Sequence, residues 1–331
     1  MDLSMQLRDR LQAFIAARTG SKSVQVSSLQ RLTGGKSREN WLFEASWCGG
    51  EPQALILCRE LERSVIDSSR QVEFEVLRAI GGGAFPAPEV LWMDESGADL
   101  GRPGLVMRYY DGINDHFVLS GGIQQLAEPD RLAVARECCQ VLADLHRIDW
   151  RVAGLGPVFE EGGAPFGATR EIARWQAKIE EQSTLPNPEL AEVLCWLRNN
   201  APVPQAAVLV HGDFKPGNML FKAGKVQVLL DWETLHIGDP LEDLGWVTNP
   251  MRRREHQIPG LWEQADLVEH YTALTGFTVA PNELHFWQVF SVFKAYAIFL
   301  TGVRSFEKGD APYPKLDTGA LEQFIFNLQG W

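Results

Sequence analysis

Residues 208–233, VLVHGDFKPGNMLFKAGKVQVLLDWE, contain two apolar runs of strand character joined by the turn Ala223-Gly224-Lys225, with polar residues gathered at their ends. This is the one strand-like break in the second half of the chain. Around it the apolar residues recur at the helical period, over 129–147, 169–182, 188–199, 263–275, 281–304 and 317–328. Ahead of it, period two dominates. Val24 and Val26 alternate with polar neighbours, as do Trp41, Phe43 and Ala45, and ALILCR at 54–59 suits a central strand. EVLWMD (89–94) and GLVMRYY (104–110) form a further pair around a turn at Glu95–Gly97. Two helices interrupt the strands. One opens the chain with Leu3, Leu7, Leu11, Phe14 and Ile15 on one face; the other spans 64–80 and stops at Gly81–Gly83. The expectation is an α+β protein, with a strand-rich unit over 1–110 and a mostly helical unit over 111–331.

Composition narrows the partners. Acidic residues outnumber basic ones 43 to 31, a formal charge of -12 over 331 residues that repels polyanions and argues against nucleic acid or an anionic membrane. The opening residues, MDLSMQLRDRLQAFIAAR, carry charge throughout and read as helix rather than leader. No window resembles the roughly 20 apolar residues of a membrane span, so a cytoplasmic protein is expected. The cysteines Cys48, Cys58, Cys138, Cys139 and Cys195 form no CxxC. Adjacent helix positions point about 100° apart, so Cys138 and Cys139 do not share an ion; small buried thiols in a reducing compartment are expected. No obligate protein partner is readable.

The chemistry concentrates in HGDFKPGN (211–218) and the LLDWE that follows. Phosphoryl transfer asks a protein mainly to position groups and to offset charge. A carboxylate holds the attacking hydroxyl in line, and oxygen ligands fix magnesium on the phosphates. Asp213 and Asn218 have the DxxxxN spacing of the protein-kinase catalytic loop. Asp231 stands at the end of the next strand run, and a two-stranded ribbon joining the two segments brings all three to one edge. Taken singly, HGD or DW is a turn. Taken together, with their spacing and flanking strands, they point to ATP- and magnesium-dependent phosphoryl transfer. A Walker A loop is excluded, because GKS at 35–37 would need glycine where Gln30 stands.

HGDFKPGN with LLDWETLHIGDPLEDLGW resembles the aminoglycoside phosphotransferase and choline kinase-like family, and most resembles its branch of kinase-like domains fused to acyl-CoA dehydrogenases. The resemblance runs over roughly residues 25–305. It implies a bilobal protein-kinase-like fold, with a small N-terminal ATP-binding lobe built on an antiparallel sheet and one main helix, and a larger helical lobe for catalysis and substrate. It further implies that Asp213 is the catalytic aspartate and that Asn218 and Asp231 are magnesium ligands. His211 and Asp243 would brace the loop, and Asp239 would cap a helix. Lys215 matches a loop lysine that either neutralises the transferred phosphate or is solvated. In TGGKSREN (33–40), Gly34, Gly35 and Ser37 correspond to a phosphate-approaching loop. Glu73 matches the helix glutamate that pairs with a strand cation. The family carries a basic residue directly after the apolar triplet, where this chain has Cys58 and then Arg59. Arg59 in a shifted register is the expected cation; Cys58 in that position would leave the clamp missing. Met107 to Tyr110, with Met107 and Tyr109 as contacts, would form an adenine-binding hinge.

The acceptor is a small-molecule hydroxyl whose identity the sequence leaves open. Arg252, Arg253 and Arg254 are either a solvated patch or an anion-binding rim for a hydroxy acid or hydroxyacyl-CoA. The rival readings are an antibiotic kinase and a catalytically silent nucleotide-binding protein. Phe286, Trp287, Phe290, Phe293 and Phe299 are expected in the core.

Overall fold

Leu7, Leu11, Phe14 and Ile15 share one face of α1 (Leu3–Thr19), and all four are buried. They meet a five-stranded antiparallel sheet made of β1 (Val24–Leu32), β2 (Arg38–Trp47) and β3 (Gln53–Glu60), then β4 (Val90–Asp94) and β5 (Gly104–Arg108), in the order β1-β2-β3-β5-β4. The helix α2 (Arg70–Ile80) lies between β3 and β4 in the chain. The computed structural model describes residues 3–32, 38–60, 70–159, 166–182 and 188–307, and the chain divides into two compact units, Met1–Asp111 and Gly112–Trp331.

Strand alternation decides which side chains of the first unit reach which helix. Trp41, Phe43 and Ala45 of β2, with Leu55 and Leu57 of β3, point into the α1 core. The intervening residues, Arg38 and Asn40 on β2 and Cys58 and Glu60 on β3, therefore share the opposite face. Arg70 of α2 donates to Glu60 at 2.8 Å, which fastens α2 to that second face. The sequence expectation for this helix began at 64; residues 61–69 lie outside the described residues, as does the helix expected over 317–328.

The second unit is mostly helical. Its elements are α3 (Glu128–Arg147), α4 (Gly156–Phe159), α5 (Ala168–Gln182) and α6 (Pro188–Asn200), then β6 (Val208–Val210), β7 (Met219–Lys222), β8 (Lys225–Leu229) and β9 (His236–Gly238), and finally α7 (Pro240–Thr248), α8 (Arg253–His256), α9 (Gln264–Thr275) and α10 (Pro281–Glu307). β7 and β8 form a hairpin through Ala223-Gly224, while β6 pairs with β9. Every residue of α7 is buried. Gly245 is what lets α10 approach it: a Cβ there would stand 2.5 Å from Cβ of Trp287. Phe286, Trp287, Phe290 and Phe293 are buried on α10, each side chain contributing about 1.5–3 kcal/mol of apolar transfer.

Three expectations are corrected here. Phe299 is 37% exposed, because it falls on the outer face of α10. Pro281–Val303 is long and apolar enough to cross a bilayer, contrary to the sequence reading, yet 67% of its apolar window is buried within the protein. Of the cysteines, Cys138 and Cys139 are buried, but Cys48 and Cys195 are exposed. Burial pushes the Cys139 thiol up to about 12, so it is inert near neutrality.

Candidate active site

The loop after β6 is shaped by His211 and Gly212. Gly212 has φ +80, and a Cβ on it would meet Oγ1 of Thr234 at 2.7 Å, so the turn requires glycine. Nδ1 of His211 accepts from the Asp213 N–H at 3.2 Å. That fixes the tautomer, and Nε2 donates to the Leu230 carbonyl at 3.0 Å. Burial keeps the ring neutral by lowering its pKa, which suits this pair of roles. The Leu230 N–H in turn donates to the Asn218 carbonyl at 2.7 Å. The residue preceding Asp231 is thereby bonded on both sides to the 211–218 loop.

Asp213, Lys215 and Asn218 are in direct contact. Lys215 Nζ stands 2.5 Å from Oδ2 of Asp213. Asn218 Nδ2 donates to the same oxygen and to the Asp213 carbonyl, both at 2.9 Å. Both partners are acceptors, so the amide has one orientation, and its Oδ1 is turned away from Asp213. Asp231 holds a left-handed backbone, φ 65 and ψ 60, which a non-glycine residue adopts at a cost of about 1–3 kcal/mol. An amide oxygen and a carboxylate on adjoining backbone are hard donors that fit magnesium.

Beneath the loop lies a layer of buried charge. Asp243 accepts from the N–H groups of His211 and Gly212 at 2.7 and 2.8 Å, and its carboxylate lies 3.2 Å from Nε2 of His146. Nδ1 of His146 reaches the Tyr271 hydroxyl at 2.6 Å. Asp239 caps α7 by accepting from the Leu241 N–H. A second cluster joins Glu171, His236, Glu242 and Lys294. Lys294 Nζ stands 3.1 Å from Glu242, and His236 Nε2 3.0 Å from the other oxygen of that carboxylate. Burial opposes the charge on His236, but Glu171 and Glu242 outweigh it and raise the pKa. The three acid and imidazole groups lie close enough to hold an ion, but Lys294 already answers Glu242 and Arg174 answers Glu171.

Sequence reasoning missed this second cluster, and it grouped Arg252 with Arg253 and Arg254 instead of singling it out as the residue beside Asp213. The signal for the cluster was a lone lysine, Lys294, inside the apolar run FWQVFSVFKAYAIFL: a buried lysine needs a partner. The residue beside Asp213 is Arg252, whose separate place among three consecutive arginines has no sequence signal. Its Nη2 is 4.0 Å from Oδ1 of Asp213, its guanidinium lies 3.9 Å over the Trp246 ring, and Glu255 holds its other end at 2.9 Å. The three arginines do not form one rim. Arg253 pairs with Glu263, and Arg254 lies over Phe117.

In the first unit, Glu73 is buried and engaged in a two-pronged bond, but not with Arg59. Arg38 Nη1 and Nη2 donate to its two carboxylate oxygens, each at 2.7 Å. Arg59 corrects the sequence expectation. It falls on the α1 face of β3, donates to Glu39 at 2.7 Å and to the Leu100 carbonyl at 3.0 Å, and cannot partner Glu73 across the sheet. No shift of register occurs at this point of the β2–β3 pairing, where Asn40 faces Cys58 and Glu39 faces Arg59. Met107 is buried in β5 and Tyr109 is partly exposed, its N–H donating to the Ala54 carbonyl at 3.1 Å. Gly34, Gly35 and Ser37 lie outside the described residues.

Comparison with known proteins shows the family and the fold. Residues 28–277 match the family described as "Phosphotransferase enzyme family". Among curated proteins, mouse acyl-CoA dehydrogenase family member 10 is 25% identical over 243 residues, 72% of this chain and 22% of its own length. Human acyl-CoA dehydrogenase family member 11 is 26% identical over 325 residues, 87% of this chain and 40% of its own length. The chain thus spans well under half of these relatives. Among solved structures, a protein of Ralstonia eutropha assigned to the aminoglycoside phosphotransferases superposes with TM-score 0.72 at 21% identity, covering 97% of this chain and 96% of that one. The aminoglycoside phosphotransferase APH(4)-Ia, in ternary complex with AMP-PNP and hygromycin B, gives 0.61 at 16% identity, covering 97% and 98%. The fold is therefore kinase-like.

Proposed function

We propose, since the chain belongs to the phosphotransferase enzyme family, that it transfers the γ-phosphoryl group of ATP to a hydroxyl of a small anionic molecule. The observation that carries this reading is the fixed contact of Asp213 with Lys215 and Asn218. In the step, the acceptor oxygen forms a bond to the γ-phosphorus, the bridging bond to the β-phosphate breaks, ADP leaves, and the acceptor proton passes to Asp213. Asp213 orients that hydroxyl and takes its proton late, since a loose transition state needs little basicity. Lys215 offsets the negative charge that gathers on the transferred group. Asn218 through Oδ1, and Asp231, are the residues that would hold magnesium, which neutralises phosphate charge when bound.

The anionic acceptor class rests on Arg252. A guanidinium beside the catalytic carboxylate has donors for a carboxylate or phosphate of the acceptor, whereas a cationic antibiotic would meet like charge there. The relatives' name, acyl-CoA dehydrogenase family, points the same way, toward a hydroxy acid or its coenzyme A thioester. Incubating the protein with labelled ATP and magnesium against hydroxy acids, hydroxyacyl-CoAs, aminoalcohols and aminoglycosides tests the proposal. Phosphorylation confined to the anionic compounds is the expected result, and transfer to none of the four classes would sink it.

Arg252→Gln separates acceptor binding from nucleotide use. The variant is expected to raise the acceptor KM by about 10–100-fold, the equivalent of one charge-assisted hydrogen bond, with the KM for ATP unchanged. Equal effects on both substrates would remove Arg252 from the acceptor site.

A further inference from the structure

The first unit lacks a basic residue at the strand position where a kinase-like fold places its phosphate-binding cation, and the structure supplies a replacement. Cys58 lies on the second face of β3, the face to which α2 and Glu73 are fastened. A cysteine carries no positive charge in any protonation state. The neighbouring cation, Arg59, is on the other face and bound to Glu39. Arg38 stands opposite Glu60 on the adjacent strand, which makes it the diagonal neighbour of Cys58 on the same face. Diagonal neighbours are about 7–8 Å apart, within reach of a long side chain. From there its guanidinium forms the pair with Glu73 that a β3 cation would otherwise make.

We propose that Arg38, from β2, is the cation that holds the phosphates of the nucleotide, replacing the basic residue absent at position 58. Two observations set this apart from a purely structural strap on α2. First, the helix is already fastened: Arg70 grips Glu60 with two donors, and Val76, Leu77 and Ile80 are buried. A further buried ion pair adds little stability, since the cost of desolvating it offsets the attraction. Second, the pair is two-pronged, so Glu73 fixes the guanidinium plane. A planar fork of five donors can serve a carboxylate and a phosphate together, which an ammonium on a flexible stem does less rigidly. Glu73 is the positioning residue in this arrangement and Arg38 the ligand-binding one.

The inference rests on the nucleotide reading above, and titration calorimetry on the full chain separates the two. Wild-type protein that binds neither ATP nor ADP rejects that reading itself. Given wild-type binding, Arg38→Ala is expected to weaken ATP and ADP at least tenfold while adenosine affinity is unchanged. Loss of adenosine and ATP affinity by the same factor overturns the proposal in favour of a structural strap, and so does unchanged ATP affinity. The double variant Arg38→Ala with Cys58→Lys puts a cation back on β3 and guards against a single variant that does not fold. It is expected to recover most of the lost ATP affinity; a folded double variant that recovers none overturns the proposal. Arg59→Ala is the matched control, expected to lower Tm by leaving Glu39 without its closest cation, with ATP affinity unchanged. An ATP-specific loss in that variant would return the role to Arg59 and overturn the assignment of Arg38.

Discussion

Replacing Asp213 with Ala is expected to lower kcat by about 10²–10⁴-fold, the range typical of a lost general acid–base group. The loop should survive the change. Gly212 and His211 are held by Asp243, and Asn218 keeps its bond to the main-chain carbonyl of residue 213. Lys215 is partly open to solvent and can be hydrated once its carboxylate is gone. The loss therefore falls on the chemical step. ATP affinity should be retained, and the acceptor KM should move little, because a group that acts mainly in the transition state contributes little to ground-state binding. Steady-state rates with both substrates varied, together with calorimetric ATP binding, measure the two effects separately. A variant that turns over at the wild-type rate would take the catalytic role away from residue 213.

Much of this architecture was legible because it follows short-range rules. The period-two runs gave the strands of the first unit, and the helical period gave the helices of the second, since both patterns lie within a window of a dozen residues. The spacing of Asp213 and Asn218 was legible for the same reason: five residues of loop set the geometry. What failed was a question of parity. Cys58 and Arg59 are adjacent in β3, and the run ALILCR is apolar on both faces, so nothing local says which of the two shares a face with α2. The answer lies in Phe43, Leu55 and Leu57 meeting α1, a contact made across the sheet. The partner of Glu73 was hidden likewise, because Arg38 is 35 residues away and on a strand of its own. Arg252 was grouped with Arg253 and Arg254 by sequence, but a 3-10 turn at Pro250–Arg252 leading into α8 sends the three to different partners.

The largest stability effect is expected at Asp243, the carboxylate under the 211–218 loop. It is fully buried and serves three donors: the His211 N–H, the Gly212 N–H and His146. Asp243→Ala leaves all of them without their buried acceptor, and losing one partner of such a buried charged network costs about 3–5 kcal/mol. Asp243→Asn keeps the shape but turns an acceptor into a donor facing a backbone N–H, so it should recover only part of the loss. The pH dependence follows from the same contacts. Burial pushes the carboxyl up, but the bond and charge of His146, with the His211 contacts, outweigh it and hold the group at about 2, below its ordinary 3.8. A carboxyl whose pKa is lowered by folding contributes stability that is complete above its unfolded value and disappears as pH falls through the folded one. Wild-type protein should therefore lose on the order of 2 kcal/mol between about pH 4 and pH 2 from this group, and the Ala variant should lack that share of its acid sensitivity. Urea denaturation across this range measures both quantities. A variant within about 1 kcal/mol of wild-type at neutral pH would mean that the loop is held by its own hydrogen bonds, and Asp243 would then be a passenger beneath it.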